Sequence, residues 1–484
     1  MPRIAVVGGG IAGLSAATRI SRARPDAEVV LLEASPRVGG KLLRAEVGGA
    51  WVDVGAEAML ARRPEGVAAA VEAGLESELI QPLTTAALLR NRGRNARLPV
   101  RTLIGVPADL DAVRAAGVLS AETLERIEAE PAGGPYPPLT DDVSVGDLVS
   151  ERFGAEVVDR LVDPLLGGVY AGRADAISLD AAIPGLAARL RTDGGSLLRA
   201  AAASLPPPAA AGSGSGGSGP ASLPKPVFAS VAGGLTRLPE QLAAGAIFSI
   251  RRSTAVRRIR RTPDGFELSL GAVPVTELLT ADAVVLATPA SKASMLLTDL
   301  APVAGAELAT VESASMAIVT LAFRGLPTSA LPAGSGLLIP VVEGLRVKAM
   351  TFSSQKWPGV GAESGVFLMR ASLGRIGEEW VLQRADDELV SIVRAELESI
   401  TGLAATPVDT HVQRWGGGLP QYPPGHLARI ERVRAAVAEV PGLAVCGATY
   451  DGVGIPACIA SAHIAADRVL AALPPSGQWI NGRR

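Results

Sequence analysis

The sequence predicts an α/β fold built on a Rossmann-like nucleotide-binding unit, and three observations carry that prediction. A short apolar run, Arg3-Ile4-Ala5-Val6-Val7, opens the chain. Three glycines and a stretch with helical apolar spacing, Ile11 to Arg24, come next, and then a second β-like run, Glu28 to Leu32. Strand, helix and strand in that order form a βαβ unit. Near the other end, Leu443-Ala-Val-Cys-Gly reads as a buried strand that passes through a Gly-rich turn into a last amphipathic helix, Pro456 to Leu473.

The elements between follow in order. Gly-rich sequence extends to about Ala58, and Pro64 to Leu79 has a helical pattern. Residues 100–203 are mostly helix-like, with a helix and its acidic first turn at Asp142-Val-Ser-Val-Gly-Asp-Leu-Val. Ser204 to Pro226 is low-complexity and offers no side chains to hold a core, so a flexible linker is expected there. Val227 to Ala243 reads as turn plus helix, Ile247 to Ile259 as β-like, and Asp282-Ala-Val-Val-Leu as a buried parallel strand. Met316 to Phe323 and Val366 to Leu373 alternate like antiparallel strands, and Asp386 to Ile400 is helical.

Composition narrows the function. The 484 residues suggest about two to four domains. With 48 % hydrophobic and 19 % charged residues the chain is not broadly disordered. Lys+Arg is 46 and Asp+Glu 48, a net charge of −2 that argues against a nucleic-acid partner. Lys occurs only at 41, 225, 292, 348 and 356, so Arg supplies nearly all positive charge and suits carboxylate or phosphate capture. Cys446 and Cys458 form no CxxC pair, and three histidines are too few for a His-rich metal site. No metal is expected, and a reducing, cytoplasmic compartment fits. No apolar stretch of about 18 residues stands out as a membrane span. The mean hydropathy of +0.30 leaves peripheral membrane contact open.

Gly8, Gly10 and Gly13 form G-x-G-x-x-G directly after a strand and before a helix. The first permits a tight turn, the second lets backbone approach a pyrophosphate, and the third allows close helix–strand packing. Gly9, Ile11 and Ala12 complete the loop, whose helix N-terminus offers free N–H groups to phosphate. Glu33, at the end of the second strand and followed by Ala34, is placed to bind a ribose diol and to repel a 2′-phosphate. NAD and FAD both remain. The following segment, Glu33-x₃-Arg37-x-Gly39-Gly40-Lys41, has the form typical of flavoproteins and selects FAD. Gly40 lets backbone near the cofactor, and Arg37 and Lys41 can neutralise it. Gly55, Ala56, Glu57 and Ala58 supply another turn at the same place.

These motifs resemble the flavin amine-oxidase superfamily. Three more stretches narrow the resemblance to its protoporphyrinogen/coproporphyrinogen oxidase family: Asp163-Pro-Leu-Leu-Gly-Gly-Val-Tyr-Ala-Gly172, then Trp415 with Pro420-Gln-Tyr-Pro-Pro-Gly-His426, then Tyr450-Asp-Gly-Val-Gly-Ile-Pro-Ala-Cys-Ile459. The soluble character is most similar to the bacterial, Gram-positive-type coproporphyrinogen III oxidases. The resemblance implies a discontinuous Rossmann-like FAD domain (1–65, 227–290 and 410–474), a mixed-sheet substrate domain (66–99 and 291–409) and a mainly helical domain (100–203). It places Val453, Gly454 and Ile455 at the flavin, with Val256 and Trp415 as further cofactor contacts; core packing is the other reading of Trp415.

The resemblance also implies an activity. Coproporphyrinogen III would be oxidised to coproporphyrin III in haem biosynthesis, with O₂ as acceptor and three H₂O₂ formed, and ferrochelatase as downstream partner. Protoporphyrinogen IX oxidation, and then an amine oxidase-like reaction, are the alternatives. No catalytic side chain is needed where the flavin does the chemistry. Arg62 and Arg63 are the first candidates to anchor substrate propionates, with Arg370 and Arg375 behind them. Gly168 and Met369 are expected to line the substrate slot. Tyr170 reads as core or slot, His426 as structural, and both cysteines as small buried apolar groups.

Overall fold

The computed structural model describes residues 1–206, 227–272, 276–327 and 330–474. The proposed linker therefore lies outside the described residues beyond 206.

Five strands form one parallel sheet, in the order Ser249–Arg251, Glu28–Leu32, Arg3–Val7, Ala283–Leu286 and Leu443–Val445. Its inner strands are apolar on both faces, as covering on both sides demands. On one face, Ile4, Val6, Val29 and Leu31 pack against the helices Ile11–Ala23 and Ile455–Ala471. On the other, Ala5, Val7, Val30 and Leu32 meet the helices Ala290–Leu297, Pro302–Ala309 and His426–Ala438. The loops Gly8–Gly10, Glu33 onward and Cys446–Ala448 leave the same carboxyl edge, where ligands of open α/β sheets bind.

A seven-stranded mixed sheet stands beside it. Its order is Asp409–Pro420, Ser313–Arg324, Val366–Leu373, Val347–Thr351, Gly336–Leu338, Leu88–Asn91 and Arg94–Arg97. The helix Asp386–Thr401 covers one face through Leu389, Val393 and Leu397. A third core lies within the helical region and includes Val113, Phe153, Leu161 and Leu186.

Several segments sit elsewhere than the sequence reading places them. Residues 409–420 are the edge strand of the mixed sheet, where the sequence reading has 410 onward in the FAD unit. The helix starting at Pro64 ends at Glu72, because Gly74 turns the chain left-handed at φ +76. Its Ala69 and Ala70 join the core of the nucleotide-binding side, not the substrate sheet. The helices at 290–309 likewise back the parallel sheet. The β-like run 247–259 is two strands: Ser249–Arg251 in the parallel sheet, and Val256–Thr262 in an antiparallel one with Gly265–Leu270 and Glu277–Ala281.

Candidate active site

The glycine loop is built by close contacts. A Cβ on Gly8, which sits at φ +108, would lie 2.5 Å from the Ala287 carbonyl oxygen, and one on Gly13 only 1.8 Å from that of Gly8. Gly10 differs. Its φ of −71 suits any residue, and a Cβ there would meet nothing within 4 Å. Gly10 is the N-cap of the first helix, which has no side-chain cap and no acid in its first turn. The leading N–H groups of that helix thus face an open cradle suited to an anion. Gly40 closes one side, its Cβ position 3.2 Å from the Gly10 Cα, and Gly39 N–H donates to the Gly9 carbonyl at 2.8 Å.

Glu33 is fixed beside this cradle. Its carboxylate accepts from Gly9 N–H at 2.6 Å and from Ser35 N–H at 2.7 Å. Thr254 N–H donates to the Glu33 carbonyl at 2.8 Å, which brings Val256 to the same edge and leaves Ala34 between. Arg37 turns back on its own loop and donates to the Gly40 carbonyl at 2.8 Å and the Val38 carbonyl at 3.2 Å. It holds the turn closed, where the sequence reading has it neutralising phosphate. Lys41 is exposed, and its carbonyl accepts Ala56 N–H at 3.2 Å.

The second turn is clamped from the mixed sheet. A Cβ on Gly55 would lie 2.1 Å from the Lys41 carbonyl oxygen and 3.1 Å from the Trp415 ring, whose Nε1–H donates to Val54 O at 3.0 Å. Glu57 places its carboxylate between Lys356 Nζ at 2.5 Å and Arg370 Nη2 at 2.6 Å. Burial works to raise its pKa, but Arg370 and then Lys356 outweigh it and hold the group below the usual range. Arg370 also donates to the carbonyls of Asp53 at 2.5 Å and Gly55 at 3.0 Å. Asp53 accepts the Leu235 N–H at 2.8 Å, and burial pushes its carboxyl up to about 6. Ala58 leads out of this turn. The sequence reading missed the clamp; its only local signal was a charged residue in an apolar strand.

The C-terminal element supplies a second open helix N-terminus. The helix Ile455–Ala471 has Gly454 as N-cap, with no side-chain cap and no acid in its first turn, and Val453 precedes it. Gly447, at φ +118, faces Ala12 of the first helix, and its N–H donates to Ser461 Oγ at 3.2 Å. Cys446 and Cys458 are buried and unbridged. Burial raises both thiols, Cys458 to about 11, so neither is a thiolate near neutrality.

Three aromatic rings buttress that turn. His426 is fully buried, its Nε2 3.0 Å from the Thr449 carbonyl oxygen, and it stacks on Tyr422 at 4.3 Å. Tyr422 meets Tyr170 edge-on at 5.6 Å, and its hydroxyl donates to the Ala448 carbonyl. Burial lowers the His426 pKa from 6.5 to about 4. The folded protein therefore resists a proton that the unfolded chain takes up below pH 6.5. Stability is full above that pH and falls as pH drops toward 4, by at most about 3 kcal/mol. Thermal midpoints between pH 7 and 4 should show this decline, and His426→Gln should flatten it. An equally steep decline in the variant would show that other groups cause it.

The expected substrate contacts separate. Gly168 is exposed on the helix Asp163–Tyr170, with a Cβ position 3.8 Å from Leu338. Arg62 and Arg63 are exposed just before the helix Pro64–Glu72, and Arg63 pairs with Glu65 at 3.0 Å. Met369 does not line this side. Strand side chains alternate, and Met369 points with Phe367 and Ala371 into the core under Asp386–Thr401. Arg370, on the opposite face, is spent on Glu57 and two carbonyls. Arg375 donates to the Ile339 carbonyl at 3.1 Å and pairs with Glu378 at 3.3 Å.

A split Rossmann-like unit with two open helix N-termini, beside a mixed sheet, is the frame of a dinucleotide-dependent oxidoreductase, and the family match makes its cofactor a flavin. The chain belongs to the flavin-containing amine oxidoreductase family, which it matches over residues 11–470, and within it to the protoporphyrinogen/coproporphyrinogen oxidase group. It is 39 % identical over 472 residues to a curated Mycobacterium tuberculosis protein named coproporphyrinogen III oxidase, covering 97 % of each chain. A Bacillus subtilis protein of the same name is 30 % identical over 466 residues, covering 94 % of this chain and 95 % of that one. A solved structure from Exiguobacterium sp. 255-15, provisionally described as a protoporphyrinogen oxidase, superposes with a TM-score of 0.83 at 29 % identity, covering 98 % and 99 %. Cyclohexylamine oxidase from Brevibacterium oxydans shares the fold at a TM-score of 0.68 and 16 % identity, covering 97 % and 99 %. Among the described residues, no helix is long and apolar enough to cross a membrane.

Proposed function

We propose that this chain is an FAD-dependent oxidase that converts coproporphyrinogen III to coproporphyrin III in the cytoplasm, upstream of ferrochelatase. The observation that carries this reading is end-to-end similarity to curated relatives of that name, over 97 % of both chains. The open cradle at Gly10 and the fixed Glu33 carboxylate fit a dinucleotide. Gly8 to Gly13 would hold its pyrophosphate and Glu33 its ribose, and the helix start at Val453 to Ile455 would face its flavin end. When bound, FAD supplies a two-electron oxidant that O₂ regenerates with release of H₂O₂. Removing six hydrogens takes three such rounds, so one tetrapyrrole consumes 3 O₂ and yields 3 H₂O₂. The chain's own part is to hold the macrocycle and exclude water; proton movement between meso carbons needs positioning more than a dedicated base.

The description of the Exiguobacterium structure favours protoporphyrinogen IX as the second reading. One experiment separates them. FAD-loaded protein is given each porphyrinogen in turn, and porphyrin fluorescence, O₂ uptake and H₂O₂ are followed together. The expected result is faster turnover of coproporphyrinogen III, with O₂ and porphyrin in a 3:1 ratio. Yellow, FAD-loaded protein that leaves both porphyrinogens unchanged would refute the proposal.

A further inference from the structure

One buried charge on the mixed sheet has no use so far. Lys348 is 4 % exposed, and its Nζ makes no hydrogen bond among the described residues. It lies in a bulge: the pairing of Val347–Thr351 with Val366–Leu373 slips between Val347 and Ala349. The extra residue re-aims the chain locally, as bulges near binding sites do. Val347 and Met350 stay in the core under the helix Asp386–Thr401, whereas Lys348 does not belong to that core.

The surroundings of Lys348 include Gly168, one of the residues expected to line the substrate slot. Its strand and the neighbouring Gly336–Leu338 pack on the helix Asp163–Tyr170, which presents Gly168 to Leu338. The segment after Leu373 is tied to the end of that helix by Ile376 N–H donating to the Ala171 carbonyl at 2.9 Å. It carries Arg375 and Glu378, the two charges that act on Lys348. On these elements Gly168 and Val169 are exposed, and Ala349 and Ser372 half-buried.

The charges near Lys348 pair with one another and leave its Nζ without a hydrogen-bond partner among the described residues. Lys348 and Arg375 are both buried basic residues. Glu378 already pairs with Arg375 at 3.3 Å. Asp163, which Arg375 also faces, spends one oxygen on Ala174 N–H at 2.9 Å, and burial raises its pKa. An ammonium buried without a partner is unfavourable, and a carboxylate at hydrogen-bond distance offsets that cost. We propose that Lys348 is a specificity-determining residue of the slot, whose missing partner is one carboxylate of the tetrapyrrole substrate. This rests on the function proposed above. Burial and Arg375 bring the free lysine down to about 7, so at pH 7 to 8 much of it is neutral, and pairing with a carboxylate draws a proton from solution.

The test uses FAD-loaded protein and coproporphyrin III, the stable product bearing the same four propionates. Binding is read by fluorescence, and proton uptake by calorimetry at pH 7.5 in buffers of different ionisation heat. K348M is expected to bind about tenfold more weakly, the effect of losing one charge-assisted hydrogen bond. It should raise KM while leaving kcat nearly unchanged, and it should abolish the uptake seen in wild type. The propionate methyl ester of the porphyrin should bind both proteins alike. Should K348M fail to fold, wild type decides alone: no proton uptake on binding overturns the proposal. Unchanged affinity in folded K348M overturns it as well, and leaves the tetrapyrrole reading standing. A wild type that binds no tetrapyrrole overturns both.

Discussion

Gly10→Val yields a folded protein that purifies without colour. The position has ordinary backbone angles and open space where a Cβ would stand, so the fold loses only the small N-cap preference of glycine, about 1 kcal/mol or less. In a chain of 484 residues, where 1 kcal/mol moves the thermal midpoint by about 1 °C, that is a drop of about 1 °C or less for the flavin-free form. The valine fills the cradle in front of the helix Ile11–Ala23 and blocks its leading N–H groups from the pyrophosphate. Two lost charge-assisted hydrogen bonds at roughly 1.5–3 kcal/mol each weaken flavin binding by at least about a hundredfold. Gly13→Ala serves as the contrast. Its Cβ would stand 1.8 Å from the Gly8 carbonyl oxygen, so helix and strand must part, and the flavin-free fold itself suffers, by about 3 kcal/mol. Flavin titration and thermal melting of both variants separate the two effects. A Gly10→Val protein that binds flavin like wild type would mean that the cradle is not the phosphate site.

How much of this was legible in the sequence depended on the range of the interactions. The N-terminal βαβ unit and the last strand, turn and helix are specified locally, by glycines at fixed offsets and by apolar spacing, and each falls within a few residues of its expected bounds. Asp409–Pro420 was harder. One of its flanks is solvent, and Gly416, Gly417 and Gly418 look like a turn; only pairing with Ser313–Arg324 makes it a strand. Met369 shows a different gap. The alternation of Val366–Leu373 was visible, but which face is core depends on Asp386–Thr401, and that helix sits on the Met369 side. Arg370 and Lys348 were unreadable for the same reason: their partners, or lack of them, are set by segments far away in the chain.

Arg370→Met tests the longest of these connections. The guanidinium holds Glu57 and the carbonyls of Asp53 and Gly55, so it ties the turn 53–57 to the strand Val366–Leu373. Methionine keeps most of the apolar stem but leaves two carbonyls without their donor and Glu57 buried with Lys356 alone. Removing one partner of a buried ion pair costs about 3–5 kcal/mol, because the other charge is stranded in low dielectric. Lys356 keeps the loss near the lower end, which in a chain of 484 residues corresponds to a fall of roughly 3 °C in the thermal midpoint. The turn it releases also carries Gly55 against Trp415, so flavin retention falls with stability. Adding Glu57→Gln to Arg370→Met should recover part of the loss, since the stranded charge is gone; a positive coupling above about 1 kcal/mol in that cycle is expected. Strictly additive losses would mean that the two groups act independently, and that Arg370 matters only through the backbone it binds.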